Sequence, residues 1–594
     1  MTTSKRLPIY AQRKKDFLHQ LAVKEKEIAR IAVFRLLAGL AIAVCIYLSF
    51  KDQWFIIAVF GTVFVFAWLV RLHSKLFNEK VITTNLLRIN ELELASAKGD
   101  FSKQETGSAF TDTHHVYAYD LDIFGEGSLF QFINRAATHS GKKQLATRLK
   151  NPLTSIDNIV KHQESSKELS ECIDLRQKLQ AVGMNSLETA ESRTQLLDWL
   201  QHKPMLPNKN IWRVLLMVIP ALTIALVVAA YFSSAFKPFA SLLVFSQLVL
   251  IGVYFKRTTA FHDYVSRKHT ILKQYASLLR VFNLEKYNAA HLRDLSGITH
   301  EAEVKITTLA SLLTALDARL NFMTNIVVNG LLLYDLQCVY RLEKWREENG
   351  EALAGWLDAL AEIEVTNSLA TYTYNHPHYA FPAFSEVQHI KAEALGHPLL
   401  AEDVCVSNDF RAGDPQSVLL ITGANMAGKS TFLRTLGIAM VLAYNGAPVC
   451  AKSFSCSVMH LRTGMRTADS LKDQQSYFYA ELNRLKSITE ELRTKKPLLI
   501  LLDEILKGTN STDKQAGSMA LVKQLIDQPC LALVATHDLA LGVLEEKFPE
   551  QVKNYHFEPT IENDELSFDY KLKEGIAEKM NATFLMKKMG IIPS

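Results

Sequence analysis

Four stretches without a charged residue, residues 36–50, 53–70, 214–236 and 238–255, fall in two close pairs and limit what this chain can become. A spanning helix needs about 20 largely apolar residues, with a range of roughly 17–25. The second, third and fourth runs meet that length. The first does so once residues 31–34 are included, with Arg35 snorkelling its charge toward the interface. Tyr47, Trp54, Trp68, Trp212 and Tyr254 sit near the run edges, where an aromatic belt meets the lipid headgroups. Two transmembrane hairpins are predicted, at 31–72 and 211–256.

Their orientation follows from flanking charge. Lys5, Arg6, Arg13, Lys14, Lys15, Lys24, Lys26 and Arg30 precede the first run. Arg71, Lys75 and Lys80 follow the second, Lys209 and Arg213 precede the third, and Lys256, Arg257, Arg267 and Lys268 follow the fourth. The two turns between paired runs offer Lys51 and Lys237. Positive charge stays in the cytoplasm, so both hairpins should enter from that side and return to it. The polar stretch before the first run is too long for an ordinary cleaved signal peptide. A multi-pass protein of a bacterial inner membrane, with its large polar parts cytoplasmic, is the expectation.

The chemistry lies far from these runs. Gly423, Ala424, Asn425, Met426, Ala427, Gly428, Lys429 and Ser430 spell a complete G-x-x-x-x-G-K-[ST] loop, followed by Thr431. An apolar run, Val418 to Ile421, precedes it and a helix-like stretch to Ala443 follows, which is the context the motif requires. Backbone N–H groups of such a loop point at nucleotide phosphates, aided by the helix N-terminus behind them. Lys429 would reach the β- and γ-phosphates and Ser430 would hold Mg²⁺. Downstream, Leu498 to Leu502 is continuously apolar, suiting a parallel strand buried on both faces. It ends in Asp503 and Glu504, at the carboxyl edge where open α/β sheets bind ligands. Asp503 is the expected partner of Mg²⁺, and Glu504 the base that polarises the attacking water. A third apolar strand, Leu531 to Ala535, leads to His537, placed to sense the γ-phosphate or position the water.

Residues 395–594 resemble the ATPase domain of the MutS mismatch-repair family. The loop from Gly423 to Thr431 is similar to that family's G-x-N-M-x-G-K-S-T, in which Asn425 and Met426 are more telling than the glycines. Gly396-His397-Pro398, Ser476 to Glu481 (S-x-F-x-x-E), Asp503-Glu504 with Gly508 to Asp513, and Ala535-Thr536-His537 match in order and spacing. The resemblance implies that Ser476 reaches the nucleotide of the opposite subunit, so that ATP is hydrolysed at composite sites of a homodimer. More weakly, Asp122 to Leu153 resembles the start of the family's helical core. Residues 258–385 are helix-rich, with Leu309, Leu312, Leu313 and Leu316 at core-forming spacing.

The departures are as informative. No counterpart of the family's mismatch-reading N-terminal domains is present, and Phe124-Gly125-Glu126, a Phe-x-Glu at the start of the core, reads as chance. The chain stops at Ser594, before the helical dimerisation segment of longer relatives. A net charge of +5 on 594 residues does not argue for nucleic acid, which is held by local patches. Seven cysteines without a C-x-x-C supply no zinc motif and no disulfide frame, and Cys450 and Cys456 read as reduced. The charged stretches 78–113 and 343–350 read as solvated helix faces or connectors.

The expected fold is therefore an α/β P-loop NTPase of ABC-like, MutS type, with a mostly helical MutS-type core and four transmembrane helices. Its order is a basic N-terminus (1–30), hairpin (31–72), connector (73–119), core (120–210), hairpin (211–256), core (257–390) and ATPase domain (391–594). The expected activity is Mg²⁺-dependent ATP hydrolysis coupled to double-stranded DNA, with the bilayer as second partner. An ATP-driven factor that remodels a membrane or partner protein shares every motif. A transporter subunit fits less well, because no Leu-Ser-Gly-Gly-Gln signature occurs.

Overall fold

Leu7–Ser49 and Phe55–Ser96 are unbroken helices of 43 and 42 residues, twice what a bilayer requires. The computed structural model describes residues 6–201, 204–206, 209–265, 268–317, 322–413, 415–466, 477–507, 509–562 and 565–577. The two helices pack as an antiparallel hairpin whose apolar tip is exposed, with Phe60, Phe64 and Trp54 on its surface. Their polar halves are zipped by Lys24–Glu79 at 2.7 Å, Lys80–Glu25 at 2.8 Å and Lys14–Glu91 at 2.9 Å. About 24 residues at ~1.5 Å each give a stalk of about 35 Å. Residues 73–96, expected as part of a connector, are thus the descending arm of this stalk. Its foot is not solvated, because Ile89, Asn90 and Glu93 are buried against the helical body. Tyr10 donates to Asn375 Oδ1 at 2.7 Å, Arg13 to Gln177 Oε1 at 2.9 Å, and Asn85 to the Ala181 carbonyl at 2.9 Å.

The second hairpin, Lys209–Phe232 and Lys237–Val265, turns through a 3₁₀ segment at Ser234–Phe236. Gln247 donates to Thr223 across it, and both residues are buried. A third apolar helix, Phe322–Leu332, lies against both arms, and Gly330 approaches Val244 and Leu248 there. Among the described residues, four helices are long and apolar enough to cross a membrane, all in these two hairpins.

A trunk helix, Tyr334–Asn375, ties the molecule together. Its 42 residues span about 63 Å. Leu336 and Val339 pack with Trp212 and Leu216 at the foot of the second hairpin. At the other end Val365, Leu369 and Tyr372 enter the core of the C-terminal domain. Between them the trunk packs on Ile156–Glu171, Lys268–Phe282 and Ala290–Asp317. Leu309, Leu313 and Leu316 are buried there and Leu312 packs alongside, as their spacing predicts. The stretch 343–350 is not a solvated face throughout: Glu343 is buried because the backbone N–H groups of Met205 and Leu206 need its carboxylate.

The C-terminal domain is α/β. Its larger sheet runs Lys573–Glu574, Val552–Phe557, Val418–Gly423, Cys530–Thr536, Leu498–Asp503, His460–Gly464, all parallel except the first edge strand. The three strands read as continuously apolar are buried at every position. A smaller mixed sheet is formed by Ala383–Phe384, Ser453–Cys456, Ile390–Leu395 and Asn408–Ala412. Residues 117–133 pack into this domain rather than into the helical body, with Leu121, Ile123 and Phe130 fully buried in its core. Phe124 packs at a tilt against Phe110 and Phe130, in an aromatic cluster beside the core of this domain.

Candidate functional site

The loop between Val418–Gly423 and the helix Lys429–Tyr444 has backbone angles that dictate its glycines. Gly423 has φ +146°, and a Cβ there would lie 2.4 Å from the Phe557 carbonyl oxygen; Gly428 has φ +109°. Met426 adopts φ +68° at the exposed tip. The turn throws the N-terminus of a largely buried helix toward the carboxyl ends of the central strands, where helix N–H groups and dipole favour an anion. Lys429 is 4% exposed and donates to the carbonyls of Gly423 at 2.7 Å and Ala424 at 2.8 Å. Burial pulls its ammonium below the ordinary lysine value, although Glu504 and Asp503 oppose this.

Ser430, in the first turn of the loop helix, lies beside Asp503 at the strand end, its hydroxyl acting to lower the Asp503 carboxyl. Burial raises the Asp503 carboxyl above its usual value, and its buried Oδ1 has no hydrogen-bond partner. An unmatched carboxylate oxygen beside a hydroxyl, both hard oxygen donors, fits Mg²⁺, which takes one or two protein ligands and keeps waters and phosphates for the rest.

Glu504 follows with φ +50°, its N–H held by the Ala535 carbonyl at 2.9 Å. Partial burial raises its carboxyl, but Lys507, His537 and Lys429 together outweigh that, so it lies below the ordinary value and stays ionised. Lys507 Nζ is 3.3 Å away and His537 Nδ1 is 3.8 Å away. His537 Nε2 is also 3.3 Å from Lys514 Nζ. Thus Lys429, Ser430, Asp503, Glu504 and His537, chosen from three separate segments, converge on one strand edge. Ser476 lies outside the described residues.

Other contributors carried weaker signals. Glu481, from the same S-x-F-x-x-E segment, accepts the N–H groups of Leu506 at 2.5 Å and Lys507 at 3.2 Å, pinning the loop that bears Glu504. A cavity of about 380 Å³ opens beside residues 424–432, walled by Leu395, His397, Val404, Phe557 and Tyr570. Burial depresses His397 to about 4, so it is neutral there. An apolar, aromatic wall next to the N-terminus of the loop helix can seat a flat ring. Tyr570 was not legible as a wall, because its strand-end segment carries no motif.

The loop helix also touches the segment from the N-terminal half. Leu121 fills the space over Gly437, 2.6 Å from where a Cβ would stand, and Arg434 donates to the Asp120 carbonyl at 3.1 Å. The Asp120 carboxylate accepts from Thr463 Oγ1 at 2.6 Å, the N–H groups of Met465 and Arg466, and Arg484 at 3.3 Å. The loop helix is therefore packed and hydrogen-bonded directly to residues 117–133.

Residues 419–593 match the family model described as MutS domain V. The DNA mismatch repair protein MutS of Thermotoga neapolitana is 33% identical over 240 residues, covering 39% of this chain and 29% of the relative. The protein of that description from Bacillus subtilis is 34% identical over 228 residues, covering 37% and 26%. That of Bacillus velezensis is 33% identical over 226 residues, covering 37% and 26%. The match spans less than a third of the length of these relatives.

Proposed function

We propose, from a C-terminal domain that belongs to the MutS family, that this chain is a membrane-anchored, Mg²⁺-dependent ATPase whose cycle serves DNA handling related to mismatch repair. The observation that carries the reading is the convergence of Lys429, Ser430, Asp503, Glu504 and His537 on one edge of a parallel sheet, beside a base-sized cavity. In this P-loop reading Lys429 exchanges its bonds to the Gly423 and Ala424 carbonyls for phosphate oxygens, joined by the loop N–H groups. Ser430 and Asp503 would hold Mg²⁺, which when bound neutralises phosphate charge. Glu504 accepts a proton from water as its oxygen attacks the γ-phosphorus, and the bond to the ADP oxygen breaks. His537, held between Glu504 and Lys514, positions that water or senses the γ-phosphate. Ser476 of a second copy completes the site, so turnover depends on homodimerisation.

In this reading the four apolar helices cross a bacterial inner membrane and leave the α/β domain in the cytoplasm. The nucleotide stroke passes from Gly437 and Arg434 to residues 117–133, and along the trunk to the second hairpin. Trp212 and Leu216, buried on the trunk's far end, also favour a second reading, in which ATP remodels the membrane or a partner and DNA is not bound.

Detergent-purified protein tests both. ATP should be hydrolysed, and Lys429→Ala should weaken nucleotide binding about 10–100-fold, as expected when a charged hydrogen-bonding group is removed. Wild-type affinity in that variant would remove the loop assignment. Duplex, mismatched and branched DNA should raise the ATPase rate, with binding that falls steeply as salt rises. Intact hydrolysis with no DNA response at low salt selects the remodelling reading.

A further inference from the structure

Away from the nucleotide site, three helices of the body aim ligand atoms at one point. His162 lies on Ile156–Glu171, His291 in the first turn of Ala290–Asp317, and Glu362 on the trunk. Their ligand atoms all lie within 4.8 Å of one another. His162 Nε2 is 3.3 Å from Glu362 Oε1, and His291 Nε2 is 3.6 Å from the same oxygen.

Donor accounting makes this cluster unusual. His162 Nδ1 lies 2.8 Å from the Asn158 carbonyl oxygen, which can only accept, so that nitrogen carries the proton. In the neutral ring Nε2 is then a bare lone pair facing a carboxylate oxygen that also has only lone pairs to offer. His291 Nε2 is buried, has no hydrogen-bond partner, and faces the same place. The two rings stack with centroids 4.1 Å apart and 29° between planes, so both present Nε2 to the same carboxylate oxygen. A shared metal ion resolves all three groups at once.

Spacing points the same way. Ligands at ~2.0–2.1 Å around a tetrahedral ion stand about 3.3–3.4 Å apart, close to the 3.3 and 3.6 Å contacts here. The Asn158 carbonyl fixes the His162 tautomer, as outer partners of metal-bound imidazoles do. Glu362 also receives Arg148 Nη2, at 2.8 Å from each oxygen, and Gln144 at 3.3 Å from Oε2. The guanidinium offsets part of the carboxylate charge. That selects against hard ions held by oxygen charge and for an ion that draws its affinity from imidazole nitrogen.

We propose that His162, His291 and Glu362 form a zinc-class transition-metal site that ties three helices of the body together, with a fourth position open to water. The site abuts the C-terminal domain: a Cβ on Gly446, just past the loop helix, would meet His162 Cβ at 2.7 Å. The ion would stiffen the body where the nucleotide domain bears on it. The proposal does not rest on the ATPase reading.

The test uses full-length protein in detergent, stripped with EDTA and titrated with Zn²⁺, bound metal being read by elemental analysis. Wild type should retain about one equivalent at micromolar free zinc. His291→Ala should lower the affinity at least about tenfold, whereas Lys429→Ala should leave it unchanged, separating this site from the nucleotide's. Co²⁺ added to the wild type should give the visible absorption of a tetrahedral nitrogen–oxygen site, a readout that needs no variant to fold. Absence of retained zinc in the wild type, or equal zinc in His291→Ala, would overturn the proposal and leave the cluster as a histidine–carboxylate ion pair.

Discussion

Glu504→Gln should lower kcat by about 10²–10⁴-fold, the range for loss of a general base, while ATP binding stays within about threefold of wild type. The rate loss corresponds to roughly 3–5 kcal/mol at 1.36 kcal/mol per decade. The geometry separates the two effects. Glu504 is held at φ +50°, a conformation non-glycine residues seldom adopt, by the Ala535 carbonyl on one side. On the other, Glu481 grips the N–H groups of Leu506 and Lys507. Such strain persists where the surroundings over-determine it. Gln is nearly the same size and keeps the backbone as it is, so the loop around Lys429 is undisturbed. What disappears is a proton acceptor kept ionised by Lys507, His537 and Lys429 against the pull of burial. The variant should accumulate bound ATP in a single-turnover experiment, with little ADP formed. Turnover at the wild-type rate would exclude Glu504 as the base and shift attention to His537.

Much of this site is legible in sequence because its chemistry is local. The loop, Asp503-Glu504 and His537 each end a strand whose unbroken apolar run announces burial on both faces, and parallel topology brings those ends together. The hairpins are legible for a similar reason, since an uncharged run of spanning length has few other uses. Less legible is whatever depends on contacts between distant segments. Residues 73–96 are polar enough to pass for a connector, yet ion pairs with the ascending helix and the buried Glu93 make them a stalk. Phe322–Leu332 is too short to register as a span, so its packing against the second hairpin had no sequence signal. Leu121 carries no motif, and only the fold places it on Gly437 of the loop helix. His162, His291 and Glu362 are far apart in sequence and carry no recognisable spacing.

The second large effect is expected at the stalk's foot. Glu93 and Arg135 form an ion pair with 3% and 4% exposure, and Arg135 also donates to the Phe132 and Asn134 carbonyls. Glu93 Oε2 accepts from Asn375 at 2.8 Å, at the last residue of the trunk. Three elements thus meet on one carboxylate: the descending stalk helix, the segment after residue 128, and the end of the trunk nearest the α/β domain. Glu93→Ala leaves the guanidinium buried without its counter-charge, which costs about 3–5 kcal/mol. The thermal midpoint of detergent-purified protein should fall accordingly, and protease should cut the link after Ser96 faster. Replacing both partners, Glu93→Leu with Arg135→Met, should restore most of the loss, because an apolar pair needs no desolvated charge to be matched. If the single variant unfolds like wild type, the foot is not locked in the way described, and the first hairpin is a tether rather than a strut. If the double variant regains stability but its ATP turnover no longer responds to detergent or lipid environment, the pair's contribution is communication between the first hairpin and the α/β domain, beyond stability alone.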